Sequence, residues 1–259
     1  MLILLPPSEN KRAPRRGPRL SISDRPTALQ EPTRHVLDAL TRLCSDSPDD
    51  AARVLGLSAG QRDLLGLNAE LATAPCAPAW RVYSGVLFDA LDVGSMSPGA
   101  KRRALASVWV ASALFGVVRL AESIPAHRLS AGTTLPGVPR LTSLWRQPVD
   151  QTLRESLGGD EMILDLRSSP YVALWPIPPD LRERAVVAKV WQRRPDGSRS
   201  AVSHANKATK GKVAADLLRS RRSFTSPSQV AAALRQREWD VALVPPVSTS
   251  AWRLDVTIE

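Results

Sequence analysis

Residues that build metal centres and disulfide frameworks are scarce in this chain. It has two cysteines, Cys44 and Cys76, and three histidines, His35, His127 and His204, which lie far apart in the sequence. Two cysteines cannot form a disulfide framework or a zinc site. We therefore predict a protein that needs no metal and no cofactor, and the same scarcity argues against a tight iron site of its own.

Long hydrophobic runs are also missing. No stretch of about 18 apolar residues occurs, which predicts that the chain has no transmembrane helix. The segment Met1 to Pro6 lacks the basic region and the long apolar region of a signal peptide, so we expect a cytoplasmic protein that does not bind membranes. With 259 residues, 43% hydrophobic and 23% charged, the chain is long enough for a sizeable core, and we predict one domain, 1–259.

The common enzyme signatures are absent as well. The sequence contains no G-x-S-x-G, no G-x-x-x-x-G-K-[ST], no H-E-x-x-H and no C-x-x-C. What remains is a set of polar clusters at the ends of apolar runs. Such positions often meet a ligand, because residues that leave a strand gather at one edge of the sheet.

Positive charge is in excess, and it is unevenly placed. The chain has 35 Lys and Arg against 25 Asp and Glu, a net charge of +10. The segment 9–19 carries a net +4 and the segment 182–222 a net +9, so these two segments hold the whole excess. Clustered positive charge indicates a polyanionic partner, such as DNA, RNA or a phosphorylated ligand. The alternative is a basic surface that serves only solubility.

Strand and helix patterns alternate along the chain and predict a mixed α/β fold. The apolar run Leu2 to Leu5 is typical of a buried strand, and a long loop is expected over 6–32. Helical spacing predicts helices over 31–43, 142–157 and 208–222, the second broken or kinked at Pro148. Further strands are expected within 108–118 and over 163–166, 186–191, 241–244 and 252–258.

The pattern of segment 51–71 predicts short helices separated by Gly56, Gly60 and Gly66. This spacing weakly suggests a helix-hairpin-helix, whose hairpin amides hold a phosphate. The alternative, that these glycines simply end helices, fits the same pattern and is the more common case.

Two polar clusters follow the first strands. Ser8, Glu9 and Lys11 come directly after the N-terminal strand, where Lys11 is placed to neutralise a phosphate. Arg119 and Arg128 follow the apolar run 108–118 and together suit an anion. The competing interpretations are a plain surface loop for the first cluster and a structural Arg119–Glu122 ion pair for the second.

Two more clusters lie in the second half of the chain. Ser168, Ser169 and Tyr171 form a hydroxyl-rich turn suited to an anion, although a hydroxyl-stabilised turn with a packed Tyr171 is the more common explanation of such a pattern. Lys207 and Lys210 are three residues apart, so they share a face at the start of the predicted helix over 208–222. Lysines at a helix N-terminus oppose the helix dipole unless an anion is near, which makes this the strongest candidate. A solvated basic helix is the alternative.

Seven blocks in order give the sequence a family resemblance. They are MLILLPPSENK at 1–11, YSG at 83–85, SALFGVVR at 112–119, PAHRLSAGTTLPG at 125–137, LTSLW at 141–145, ILDLRSSPY at 163–171 and SHANKATKG at 203–211. The chain is identified by them as a member of the YaaA family, the peroxide stress proteins, over nearly its whole length.

The resemblance implies a single α/β domain with the cantaloupe-like fold of this family and a helix-hairpin-helix-like element. It also implies a positively charged cleft that binds DNA, including deformed duplexes, and a role in protecting DNA from peroxide by limiting free iron. The cleft residues carried over to this sequence are Ser8, Lys11, Tyr83, Arg119, Arg128, Ser168, Ser169, Lys207 and Lys210.

Three positions depart from the family pattern. Asn10 stands where a glycine is expected, His127 where a tyrosine is usual, and Ala205 where a bulky aromatic is frequent. These changes widen the implied cleft or change its polarity. A role other than stress protection, such as that of an enzyme, is therefore an alternative for this member.

Three functions are compatible with these observations. The first is a DNA-binding stress protein, which we predict. The second is a diverged enzyme of specialised metabolism acting on a small anionic or nucleotide-like substrate, with Glu9, Lys11, Lys207 and Lys210 as catalytic candidates, and Arg128 and Tyr171 beside them. The third is an interaction protein without a catalytic centre. The sequence does not indicate an oligomeric state.

Overall fold

The structure is a computed structural model that describes residues 1–201 and 205–259; Val202, Ser203 and His204 lie outside the described residues. Ten strands occur in this part of the chain. They are β1 (Leu2–Leu5), β2 (Ala77–Pro78), β3 (Val108–Ser112), β4 (Gly116–Arg119), β5 (Ser123–Ile124), β6 (Ile163–Asp165), β7 (Ala185–Arg193), β8 (Arg199–Ala201), β9 (Asp240–Val244) and β10 (Trp252–Ile258).

Ten α-helices accompany the strands within the same described residues. They are α1 (Thr27–Asp46), α2 (Pro48–Val54), α3 (Asp63–Ala69), α4 (Ala79–Val82), α5 (Val86–Leu91), α6 (Pro98–Ser107), α7 (Leu141–Ser156), α8 (Ser169–Val172), α9 (Ala205–Arg219) and α10 (Pro227–Arg235). None of these helices has the length and apolar character needed to cross a membrane.

One central sheet organises these elements in the order β4-β3-β1-β6-β7-β10-β9, and β8 pairs with β7 beside this path. The pairs β1–β3, β1–β6, β6–β7 and β7–β10 are parallel. The pairs β3–β4, β9–β10 and β7–β8 are antiparallel. The expected mixed α/β class is therefore confirmed, with a mostly parallel central sheet.

The central strands are apolar because both of their faces are covered. All four residues of β1 and all five of β3 are buried, and so is every residue of β6. Such continuous apolar runs are typical of parallel strands that have helices on both sides. The strands predicted at 2–5 and 163–166, and within 108–118, are confirmed for this reason.

Two helices differ from the sequence-based expectation at proline. α1 begins at Thr27, inside the predicted loop, and continues through Pro32. α7 does not end at Pro148 but continues through it to Ser156. In both helices buried apolar side chains lie on either side of the proline, such as Leu29 and Val36 in α1. Their burial outweighs the loss of one backbone hydrogen bond.

Two further segments differ in extent. The turn expected at 168–171 forms a single helical turn, α8. The helix expected over 208–222 begins earlier, at Ala205, and ends at Arg219. Lys207 and Lys210 therefore do belong to the first turns of a helix.

Candidate functional site

The candidate site lies beyond the carboxyl end of β1. This strand has a parallel neighbour on each side. Within the sheet, the chain passes from β1 to β3 on one side, whereas from β6, on the other side of β1, it passes to β7. Such a switch in strand order leaves a crevice outside the carboxyl ends of the strands, where open α/β sheets bind ligands. The segments after β1 and β6 are two of the four polar clusters that the sequence indicated.

Lys11 ends the segment that follows β1, and its backbone forms an isolated antiparallel bridge with Tyr83. Its Nζ donates to the carbonyl oxygen of Ser8 at 2.7 Å and lies 5.5 Å from the centroid of the Tyr83 ring. Burial, with a further contribution from nearby Arg128, lowers the pKa of Lys11 to about 7, and Glu9 opposes the shift. Near neutral pH, much of this amine is therefore uncharged.

Arg128 reaches the same place from the loop after β5. Its Nη1 donates to Oε2 of Glu9 at 3.3 Å; the Arg128 side chain is 14% exposed and that of Glu9 is 73% exposed. The Nε of Arg128 is buried and has no hydrogen-bond partner within residues 1–201 and 205–259. A donor of this kind remains available to an anion in the crevice.

Asn68 of α3 holds the peptide of Arg128 in place. Its Nδ2 donates to the Arg128 carbonyl oxygen, and its Oδ1 accepts from the Arg128 N–H, each at 2.8 Å. Asn68 is fully buried, so it holds this peptide away from competing water.

Two tyrosines border the lysine and the arginine. Burial raises the pKa of Tyr171 to about 12; Glu9 adds to the shift, and Arg128 and a hydrogen bond with the Ala131 backbone oppose it. Burial also raises the pKa of Tyr83, whose ring stacks on Phe88 with the centroids 5.0 Å apart. Both phenols are therefore uncharged near neutral pH.

A buried ion pair joins the last residue of β6 to the segment that follows it. Nη2 of Arg167 donates to Oδ2 of Asp165 at 2.7 Å, and Nε of Arg167 donates to Oδ1 at 2.9 Å; both side chains are 1% exposed. Lys210 of α9 donates from Nζ to the Arg167 carbonyl oxygen at 3.2 Å. Burial lowers the pKa of Lys210, and Asp165 opposes the shift.

A cavity of about 250 Å³ opens beside the segment after β1. Residues 6–10 and 84–88 line it, together with the exposed Lys207. The Ser8 hydroxyl donates to the Asn10 carbonyl oxygen at 2.6 Å and accepts from the Ser84 N–H at 3.2 Å, which fixes this wall. Lys207 and Lys210 thus differ in placement: Lys207 borders the cavity, and Lys210 is buried beneath Arg167.

Positive charge is in excess at this edge of the sheet. Asp165 pairs with Arg167, and Glu9 pairs with Arg128. Lys11, Lys207 and Lys210 have no acidic side chain within ion-pair distance in the described ranges. No group of three or more His, Cys, Asp or Glu suited to hold a metal ion occurs in those ranges. The chemistry that the arrangement supports is anion binding around an amine that is about half uncharged at pH 7.

Comparisons with known proteins agree with the resemblance carried by the sequence blocks. The family model described as peroxide stress protein YaaA matches residues 1–240. The chain belongs to this family. A UPF0246 protein of Streptomyces coelicolor is 40% identical over 260 residues, covering 100% of this chain and 98% of the relative. A UPF0246 protein of Corynebacterium efficiens is 41% identical, covering 89% of this chain and 90% of the relative.

Two of the departures from the family pattern can be placed in the structure. Asn10 is exposed, and its carbonyl oxygen accepts from the hydroxyls of Ser8 and Ser84. His127 is buried, with its Nδ1 3.0 Å from the Pro125 carbonyl oxygen and its ring edge-on to Phe115. Burial, followed by Lys11, lowers the pKa of His127 well below its usual value, so this ring is neutral. The side chain of Ala205 lies outside the described residues.

The structure does not bring Arg119 into this group. Arg119 pairs with Trp109 at the start of β3, the end of the strand opposite to the site. Its guanidinium carbon lies 4.6 Å from the Trp109 ring centroid, and Nη2 donates to the Ser156 hydroxyl at 3.2 Å. The alternative ion pair does not form either, because Glu122 pairs with Arg25. The contacts of Arg119 are therefore with Trp109 and Ser156 and not with the residues of the candidate site.

Ser168 and Ser169 are exposed at the outer margin of the site, next to the segment that carries Arg167. Ser168 precedes α8 and makes no capping hydrogen bond through its side chain. Both hydroxyls are therefore accessible at the rim, while Tyr171 lies deeper.

Sequence reasoning missed Asn68 and Asp165 as parts of this site and did not assign a role to Arg167. A carboxylate that ends a buried strand is a usable signal for Asp165, because it must find a partner. The sequence around Asn68 carries no comparable signal, since its partner is 60 residues away.

Proposed function

We propose that this chain is a DNA-binding stress protein that holds phosphates at the carboxyl edge of β1 and β6. The observation that supports this most is the convergence of Lys11, Arg128, Lys207 and Lys210 from three segments of the chain, with Glu9 and Asp165 as the acids among them. Clustered cations release counterions from DNA and so favour association with its phosphates.

The proposal includes the finer features that the family resemblance implies. These are the cantaloupe-like fold, a cytoplasmic location, a helix-hairpin-helix-like element and protection of DNA during peroxide stress. α2 and α3 with the turn between them are the candidate for that element. Gly56 has φ +62°, the left-handed conformation that commonly ends a helix.

We assign the proposed phosphate contacts to the sheet edge and not to this helical element. The segment 46–71 carries five acidic residues against two arginines. A net negative surface repels a phosphate backbone unless the backbone amides alone compensate. The element instead contributes Asn68, which positions Arg128.

The experiment is fluorescence anisotropy with labelled duplex, bulged and single-stranded DNA at several salt concentrations. For a duplex, the logarithm of the association constant should fall with the logarithm of salt by about 0.9 per phosphate neutralised. Lys207→Ala should weaken binding and reduce that slope by about 1.

Two matched variants serve as controls. Lys212→Ala removes an exposed lysine from the same helix, away from the cavity lining. Arg119→Ala removes an exposed arginine that ends β4 and pairs with Trp109 near the start of β3. Neither should change the affinity as much as Lys207→Ala does. Binding that is independent of salt, or equal losses in all three variants, would contradict the proposal.

A second candidate function is favoured by one observation. Lys11 is partly buried, and desolvation lowers its pKa to about 7, which suits a nucleophile or a general base near neutral pH. The chain then is a diverged enzyme acting on a small anionic or nucleotide-like substrate in the same crevice. Glu9, Tyr171 and the other lysines surround that position. If Lys11→Ala leaves turnover of an identified substrate unchanged, this candidate is ruled out.

A further inference from the structure

The amine of Lys11 is enclosed in a way that solvated lysines are not. On one side its Nζ contacts the Ser8 carbonyl oxygen, and on another the face of the Tyr83 ring. No carboxylate pairs with it in the described part of the chain, because Glu9 is bound to Arg128. A lysine that is desolvated and lies beside another cation is in the arrangement that makes lysine a nucleophile.

We infer that Lys11 forms an imine with an aldehyde that carries a phosphate group, so that the site captures such compounds covalently and reversibly. This inference rests on the proposed anion-binding site and deepens it. Arg128 and Lys207 supply the positive charge for the phosphate, and Lys11 supplies the amine.

The chemistry is balanced without a further reactant. The uncharged Nζ attacks the carbonyl carbon and forms a C–N bond, while the carbonyl oxygen takes up a proton to give a carbinolamine. The hydroxyl then leaves as water and the remaining nitrogen proton is released, which leaves a C=N bond. The sum is one amine and one aldehyde giving one imine and one water, with no change in oxidation state.

The surroundings of Lys11 favour the uncharged amine that this step needs. The titratable groups that face it are Arg128, Glu9, His127 and Tyr83. At pH 7 about half of a group with pKa near 7 is uncharged, against roughly one part in a few thousand for an ordinary lysine at 10.5. The reactivity of the Lys11 amine can be compared with that of the other five lysines in the same molecule.

Two sources of a phosphate-bearing aldehyde exist, and the test separates them. One is the opened sugar of an abasic site in DNA, which is flanked by phosphodiesters. The other is a free phosphorylated sugar or sugar fragment. Both present the same aldehyde and anion to the same two kinds of side chain.

The experiment incubates the full chain at pH 7 with one of three probes in the presence of cyanoborohydride, which reduces an imine to a stable secondary amine. The probes are glycolaldehyde phosphate, glycolaldehyde without phosphate, and a duplex with one abasic site. Peptide mass mapping then quantifies the adduct on each of the six lysines and on the α-amino group of Met1. That amino group, paired with Glu161 at 2.8 Å, is a further internal control.

The expected result is an adduct on Lys11 at least tenfold above that on exposed Lys212, with glycolaldehyde phosphate, the abasic duplex or both. Phosphate should raise the yield on Lys11 severalfold over plain glycolaldehyde, and Arg128→Ala should remove that preference. The Lys11 yield should level off above about pH 8. Labelling by only one probe identifies the source of the aldehyde.

The inference is overturned if Lys11 is labelled no faster than Lys212 with both phosphate-bearing probes. Because Lys11 and Lys212 are compared within the wild-type chain, a folding defect in a variant does not affect this outcome. Binding of intact DNA is measured separately. If intact DNA binds and Lys11 gives no adduct, the inference fails while the proposed function stands. If Lys11 gives the adduct and intact DNA does not bind, the inference stands while the proposed DNA binding fails.

Discussion

Asn68 uses both ends of its side-chain amide to hold the peptide of Arg128. The two hydrogen bonds, one donated and one accepted, are each 2.8 Å long, and Asn68 is fully buried. Through this contact, α3 sets the position of an arginine that lies 60 residues later in the sequence. Helix α3 thus supports the site through this contact.

Replacing Asn68 should weaken both the fold and the site. Asn68→Ala leaves the N–H and the carbonyl oxygen of Arg128 without their partners, and each unsatisfied buried group costs about 1–3 kcal/mol. We expect the free energy of unfolding in urea to fall by roughly that amount or more. DNA affinity, measured under conditions where the variant is folded, should fall as well. Gln147→Ala, an exposed change on α7, should alter neither.

Removing Asp165 should destabilise the protein strongly. In Asp165→Asn, the guanidinium of Arg167 stays buried but loses its counter-charge, and breaking a buried pair in this way costs about 3–5 kcal/mol. Denaturant unfolding measures the loss. Asp180→Asn removes a carboxylate from an exposed pair with Arg154, and its effect on stability should be small, because water screens exposed ion pairs. Equal effects of the two changes would contradict the role assigned to the Asp165–Arg167 pair.

The low pKa of Lys11 should appear in the pH dependence of stability. The unfolded chain keeps the Lys11 proton up to pH 10.5, whereas the folded chain keeps it only to about pH 7. Between these values the unfolded state binds more protons, so the stability that depends on Lys11 rises with pH. Below pH 7 it stays at its lowest level.

Urea unfolding of the wild type and of Lys11→Met from pH 6 to pH 10 tests this expectation. The difference in free energy, wild type minus variant, should increase with pH across that window. Lys212→Met, which removes an exposed lysine, should give a curve parallel to that of the wild type. A Lys11→Met curve that is also parallel would mean that Lys11 titrates as an ordinary lysine.

Gly211 should not tolerate a side chain. A Cβ at this position would lie 2.2 Å from the Leu87 carbonyl oxygen and 2.9 Å from the Ala90 Cβ, so α9 and α5 would have to separate. We expect Gly211→Ala to lower stability by about 1–3 kcal/mol. It should also weaken DNA binding, because α9 carries Lys207 and Lys210.

The matched control is Gly99→Ala in α6. Its Cβ would meet no atom closer than 3.6 Å, and alanine favours a helix over glycine by about 1 kcal/mol. This variant should therefore be unchanged or slightly more stable in thermal unfolding. A loss for Gly99→Ala similar to that for Gly211→Ala would contradict the role assigned to the close contact between α9 and α5.

The strands and several features of the site were accessible from the sequence because they depend on local pattern. β1, β3 and β6 are continuous apolar runs, and the clusters at Ser8 to Lys11 and Arg167 to Tyr171 follow β1 and β6 directly. Helix continuity at Pro32 and Pro148 was not accessible, because the packing of residues on both sides of each proline decides it.

Sequence pattern alone is enough to predict the buried strands, the segments that carry positive charge and the family to which the chain belongs. Three other features depend on how the chain folds: Arg119 lies away from the site, Lys210 is buried while Lys207 is exposed, and Asn68 holds Arg128. The physical reason is that strand order, and not sequence distance, sets which side chains meet. The pKa of Lys11 follows from the same cause, since its burial and its neighbour Arg128 exist only in the folded chain.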